Sequence, residues 1–225
     1  CNGFSPQSND AFELKEGTYY CEIWSGWGNV ADGDIHQIVE LPNGNYQLTV
    51  LAQNIQESNK AIPQKGAYVY ANNARKELSL TGKYTLDFVV VDNQAKIGVN
   101  TIGCTGNKVS IDDFHIYYTG FDDDAQFAEF RQMIQEGEAL LESPQHADSL
   151  AMLAKAVEEA KAVTKTEDIA AKANILRKAI TASQVSVGDY ALFLEAIQRS
   201  EQVLAEGLPN GNNELKAVID KANGV

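Results

Sequence analysis

The chain has 225 residues, a net charge of −13, and 44 % hydrophobic against 22 % charged residues. That length holds two ordinary domains, each with its own core. The acidic balance, without a basic stripe, argues against nucleic acid and anionic membrane as partners, and no apolar run approaches the ~20 residues of a membrane span.

The composition changes near Gly120. Up to that point there are 14 aromatics and 8 alanines, and beyond it 5 aromatics and 19 alanines. Net charge is −5 before the break and −8 after it. So sharp a change predicts a β domain followed by an α domain rather than one mixed fold. The expected division is 1–120, 121–188 and 189–225.

The first residue is Cys1, followed by the polar stretch NGFSPQSND. A cleaved bacterial lipoprotein leaves such a start, and a processing boundary that happens to fall at a Cys leaves the same one. Cys21 and Cys104 are the other cysteines, and no CxxC motif joins any of the three. Whether Cys21 and Cys104 pair is open.

Alternating apolar and polar residues mark nine strands, at 11–15, 18–24, 35–41, 45–53, 65–72, 75–80, 83–91, 94–100 and 108–118. Around Pro42-Asn43-Gly44 the pattern reads as strand, tight turn, strand, a β-hairpin in which Gly supplies the positive φ. Nine short strands predict an antiparallel β-sandwich or jelly roll. If successive strands alternate in direction, the connections 25–34, 54–64, 81–82 and 101–107 gather at one pole. The tight hairpins and the exit toward the helices then fall at the other. Long loops on a rigid sandwich are a common place for binding.

Trp24 and Trp27 stand in or beside the first of these loops, in WSGWGN. Sugar rings present apolar CH faces that stack on indoles, flanked by amides and carboxylates that read hydroxyls. Trp24 or Trp27 with Asn29, Asp32, Asp34, His36, Asn59 and Asn107 supplies that mixture. Trp24 also ends an alternating strand, which fits a packing role. Trp27, between Gly26 and Gly28, is harder to bury. His36 has no second His nearby, so a metal role for it is weak. In the last strand, Asp112-Asp113 is costly unless a carboxylate is hydrogen-bonded or holds a hard cation. A structural Ca²⁺ on Asp112 with Glu13 or Glu22 is one reading, and Asp112 capping a loop amide is the other. A glycosidase or lyase would need two carboxylates across a cleft; Asp32 and Asp34 beside His36 are too close in sequence to suggest one.

CEIW, then DGDIHQIVELPNGNYQLTVLAQN, GAYVYANN, KIGVN and VSIDDFHIYYTG together resemble the galactose-binding-domain-like carbohydrate-binding modules of secreted bacterial glycan-degrading proteins. Glu22, Trp24, Gln37, Pro42, Gly44, Tyr46, Tyr70, Asn72, Asp112, Asp113 and Phe114 carry the resemblance, over about half the chain. It implies a jelly roll that binds glycan without catalysing its cleavage, in a secreted or cell-surface protein. Lys108-Val109 stand where that family often has a Trp.

Beyond Gly120, Asp122-Asp123-Asp124 suits the positive end of a helix carrying Phe127, Phe130, Ile134 and Leu141. Ser143-Pro144 reads as the start of a second helix, through Leu150, Leu153, Val157 and Ala160. Thr164 with Glu167 has capping-box spacing for a third, through Ile169, Ala173, Leu176 and Ile180. The three predict an antiparallel bundle. FRQMIQEGEALLE at 130–142 then aligns with FLEAIQRSEQVLA at 193–205, and LAKAVEEA at 153–160 with LKAVIDKA at 215–222. The chain therefore reads as one three-helix repeat and part of a second, within a longer polypeptide. The pattern resembles FIVAR-type spacer modules. The alternative to glycan capture is a purely structural module packed against a catalytic domain.

Overall fold

The computed structural model describes residues 3–207 and 210–222. Among the described residues, nine strands precede four helices. The chain forms two compact units, Cys1–Gln132 with Lys165–Ala170, and Met133–Thr164 with Ala171–Val225.

The first unit holds a two-layer antiparallel sandwich. Its strands are β1 (Ser5–Gln7), β2 (Tyr20–Trp24), β3 (Asp34–Glu40), β4 (Gly44–Ile55), β5 (Ala67–Ala71), β6 (Ala74–Leu78), β7 (Gly82–Val90), β8 (Gln94–Asn100) and β9 (Lys108–Gly120). One sheet runs β1-β2-β9-β4-β7 and the other β3-β8-β5-β6. The inward parity of each strand fills the space between them, with Ile23, Leu48, Val50, Val69, Val99 and Val109 almost wholly buried. That interdigitated apolar layer holds the sandwich together.

Three expectations change. The run at 11–15 is a turn, not a strand: the Asn9 side chain accepts the Ala11 amide at 2.8 Å and Phe12 is fully buried against Tyr20. The alternation there recorded one buried ring. Secondly, the segment on either side of Pro42-Asn43-Gly44 is no hairpin. β3 pairs with β8, while β4 pairs with β7 and β9, so the turn carries the chain from one sheet to the other. Asn43 pins that crossing to the adjacent β7–β8 link, donating to the Val91 carbonyl at 2.9 Å and accepting the Asn93 amide at 2.9 Å. Gly44 is needed here for room as well as for its positive φ, because a Cβ would collide with the Tyr118 ring. Thirdly, the 81–82 and 92–93 breaks also cross between sheets, whereas β5 and β6 do form a hydrogen-bonded hairpin.

Strand directions nevertheless alternate within both sheets. The connections after β2, β4, β6 and β8 therefore share one pole, and β9 leaves from the other.

The helices are α1 (Asp123–Leu141), α2 (Ala147–Lys161), α3 (Thr166–Glu206) and α4 (Asn212–Ala222). Asp122 caps α1 by accepting the Ala125 amide at 2.7 Å. The starts of α2 and α3 fall later than Ser143-Pro144 and Thr164 suggest, with His146 as the N-cap of α2. Within the second unit Gly137 lets α1 approach Val157 and Leu176 closely, and Lys161–Glu138 and Lys172–Glu159 bridge neighbouring helices at 2.6 and 3.0 Å. α3 passes through the expected boundary at 188–189 without interruption, since Gly188 alone, with no proline after it, does not end a helix.

Candidate functional site

The loop pole is tied together by polar contacts, with Val30 and Cys104 reaching into the core. The Ser25 amide donates to the Asn107 carbonyl at 2.8 Å, Val30 to Gly106 at 2.9 Å, Thr101 to Gly33 at 2.8 Å and Thr105 to Lys65 at 2.9 Å. Side chains close the remaining gaps. The Asp32 carboxylate accepts the Gly103 amide at 2.9 Å, Asn107 Oδ1 accepts the Glu57 amide at 2.8 Å, and Asn29 Oδ1 accepts from Gln56 Nε2 at 3.4 Å. Asn59 accepts the Ala61 amide at 3.3 Å inside its own loop. These four side chains, expected to meet a ligand, each spend at least one oxygen on the loops themselves.

Trp27 is different. It is 96 % exposed, in the loop between β2 and β3, with its backbone held by Ser25 Oγ at 2.9 and 3.3 Å. Gly28 after it takes a positive φ of 80°. An indole therefore stands outside a rigid hydrogen-bonded platform. Trp24, at the end of β2, is 40 % exposed and lies beside Gly26.

Asp34 and His36 belong elsewhere. They sit on β3, on the outward face of the second sheet, and bring Tyr70 and Asn100 together. Asp34 accepts from His36 Nδ1 at 2.5 Å, from the Tyr70 hydroxyl at 3.0 Å and from Asn100 Nδ2 at 3.2 Å. Burial works to raise the Asp34 pKa, but these hydrogen bonds and the Lys96 charge outweigh it and hold it below 3.8. Burial and the Asp34 carboxylate push the Tyr70 hydroxyl well above its usual value. Tyr70 and Asn100 lie within GAYVYANN and KIGVN, but nothing in those stretches marks them as partners of Asp34, because their meeting depends on the register of three strands.

A cleft of about 750 Å³ opens at the side of the sandwich. β2 pairs with β9 from Cys21–Ile111 to Trp24–Lys108, while β9 runs on to Gly120. Below Ile111 the first sheet is thus one strand narrower, and the cleft lies beside β9 there, against the inward residues of β3 and β8. Ile35, Val39, Leu48, Ile97, Ile111 and Ile116 form the floor, with Tyr19, His36, Gln37, Asp112, Asp113 and Phe114 around them. A β-bulge interrupts β9 at this level, where the β4 register shifts between Thr49 and Leu51 and Asp113 takes a φ of 54°. The cleft was invisible in the sequence.

The Asp112 carboxylate accepts the Glu16 amide at 2.8 Å, the capping alternative, and Asp113 is bridged to His115 at 2.6 Å. Among the described residues no group of three or more His, Cys, Asp or Glu side chains is placed to hold a metal ion. Glu22 is buried and accepts from Ser110 Oγ at 2.5 Å, and burial raises its pKa above the usual carboxylate value. Cys21 and Cys104 are free thiols, and Cys1 lies outside the described residues. Among the described residues no helix is long and apolar enough to cross a membrane.

No protein-family profile matches the chain, and no curated protein matches it. Among solved structures it is similar to TmCBM61 in complex with beta-1,4-galactotriose, at 18 % identity over 51 % of this chain and 81 % of that one, with a TM-score of 0.38. The C-terminal domain of EclA, a sugar-binding protein, is 18 % identical over 49 % of this chain and 89 % of that one, with a TM-score of 0.33. A cyclase from Fischerella sp. TAU is 14 % identical over 53 % of this chain and 75 % of that one, with a TM-score of 0.37. The neighbours thus include both carbohydrate-binding modules and a cyclase.

Proposed function

We propose that the β-sandwich is a non-catalytic carbohydrate-binding module of a secreted or cell-surface glycan-utilisation protein, with the FIVAR-like helices as spacers. The observation that supports this reading is the Trp27 indole, fully presented on a tip whose loops are hydrogen-bonded to one another. An exposed aromatic normally costs free energy in water, and stacking on the CH face of a sugar recovers it. Preorganised loops reduce the ordering cost of that encounter. One such platform binds weakly, and a repetitive glycan compensates through effective concentration.

A glycan array on the 225-residue chain, repeated with Trp27→Ala, tests the reading. Binding to the cognate glycan is lost on substitution, while stability changes by less than about 0.5 kcal/mol, as for other exposed side chains. A hit that survives Trp27→Ala removes the tip from consideration. A blank array with the unaltered chain favours instead a module that packs against a neighbouring domain.

A further inference from the structure

The side cleft has a chemistry unlike the tip, and a sugar is a poor occupant for it. Its floor of Ile35, Val39, Leu48, Ile97, Ile111 and Ile116 offers no donor or acceptor from its side chains. A hydroxyl pressed against that floor would lose its water without a replacement, which weakens binding by roughly tenfold or more per group. The size, by contrast, lies within the range of small-molecule sites, which are mostly apolar with a few placed polar groups. Beside the neutral donors of Tyr19, Tyr20 and Gln37 and the imidazole of His36, the charged groups here are one-sided. The lining contains the acids Asp112 and Asp113 and, among the described residues, neither lysine nor arginine.

The two acids sit at the bulge. On a regular strand adjacent residues alternate between faces; the left-handed backbone at Asp113 interrupts that alternation, and Asp112, Asp113 and Phe114 all line the cleft. The bond each carboxylate makes uses one oxygen, Oδ2 of Asp112 toward Glu16 and Oδ1 of Asp113 toward His115. His36 stands at the same rim, its ring fixed by Asp34, which is fixed in turn by Tyr70 and Asn100.

We propose that this cleft is a second ligand site, for small molecules with an apolar body and a single protonated amine. The body lies on the aliphatic floor and the ammonium meets the carboxylate edge at the bulge. Charge complementarity selects the cation over a neutral or anionic analogue of the same shape.

The test uses three probes of one shape, hexylamine, hexanol and hexanoate, titrated into the full chain at neutral pH and followed by backbone NMR shifts. Hexylamine moves the resonances of residues 35–39 and 111–116 and binds on the order of tenfold more tightly than hexanol, with hexanoate weakest. Asp113→Asn and Asp112→Asn each reduce that preference; Asn tolerates a positive φ and keeps an acceptor oxygen, so both variants retain the bulge and the Glu16 contact. Equal binding of amine and alcohol, or shifts confined to other parts of the chain, overturns the proposal. If either variant fails to fold, the ranking of the three probes on the unaltered chain still decides. Trp27→Ala leaves the amine titration unchanged, so failure here and failure of glycan capture are told apart.

Discussion

At the loop tip, four connections hold one another through hydrogen bonds, and the Trp27 indole, the most exposed large apolar side chain among the described residues, is left outside. In the side cleft the order is reversed: the apolar groups lie at the bottom, and the carboxylates stand at the rim. One framework thus presents an aromatic ring on polar ground and an aliphatic floor with a charged edge. The difference comes from which backbone groups each region leaves over. The tip consists of connections, whose peptide groups must find partners outside a ladder. The cleft consists of strands paired in a ladder on one side, where the sheet is locally short of a neighbour.

Substitutions that strike one region and spare the other sharpen that contrast. The largest effect belongs to Gly66→Ala. Gly66 has a φ of 80°, and a Cβ there would run into the Gly103 carbonyl across the tip. The strain and the clash together cost roughly 3 kcal/mol, measured by urea unfolding, with the tip resonances displaced and the cleft resonances in place. An unaltered unfolding curve would mean that the 66 and 103 loops are not packed as described. Asp32→Ala comes next. Losing the bond to the Gly103 amide costs about 1 kcal/mol and weakens glycan binding more than amine binding.

Asp34→Asn has the smallest effect and the most specific pH signature. The folded carboxyl titrates below 3.8, so its contribution to stability is present above 3.8 and is lost as pH falls through the lower folded value. The gap between the unaltered chain and Asp34→Asn should therefore be constant near neutrality and close in that acid window. A gap that instead widens as pH falls would reverse the assigned sign. Because Asp34 is partly exposed, the gap is small.

The strands were largely legible because a period of two is a local signal. Runs near 45–53, 83–91, 94–100 and 108–118 reappear as β4, β7, β8 and β9 with shifts at their ends. Pairing was not legible. Ile35 and Leu48 face one core whether β3 and β4 are neighbours or lie in opposite sheets, so the pattern around Pro42-Asn43-Gly44 fits both. The gathering of the loops followed from alternating direction alone. Of the residues expected at the tip, Trp24, Trp27, Asn29, Asp32, Asn59 and Asn107 are in its loops or beside them, while Asp34 and His36 lie on β3, with His36 bordering the cleft.

By itself the sequence determined the order of the two halves, the helical and extended segments, and the exposed character of an indole between two glycines, since each depends on residues within a few positions. Tertiary structure alone decided that β3 leaves its neighbour for β8, that Tyr70 and Asn100 reach Asp34, and that a cleft lies where β9 runs on past β2, beside the β9 bulge. Those outcomes rest on contacts across 36 to 66 positions in the Asp34 cluster, where many registers satisfy the same local pattern and only the packed core selects among them.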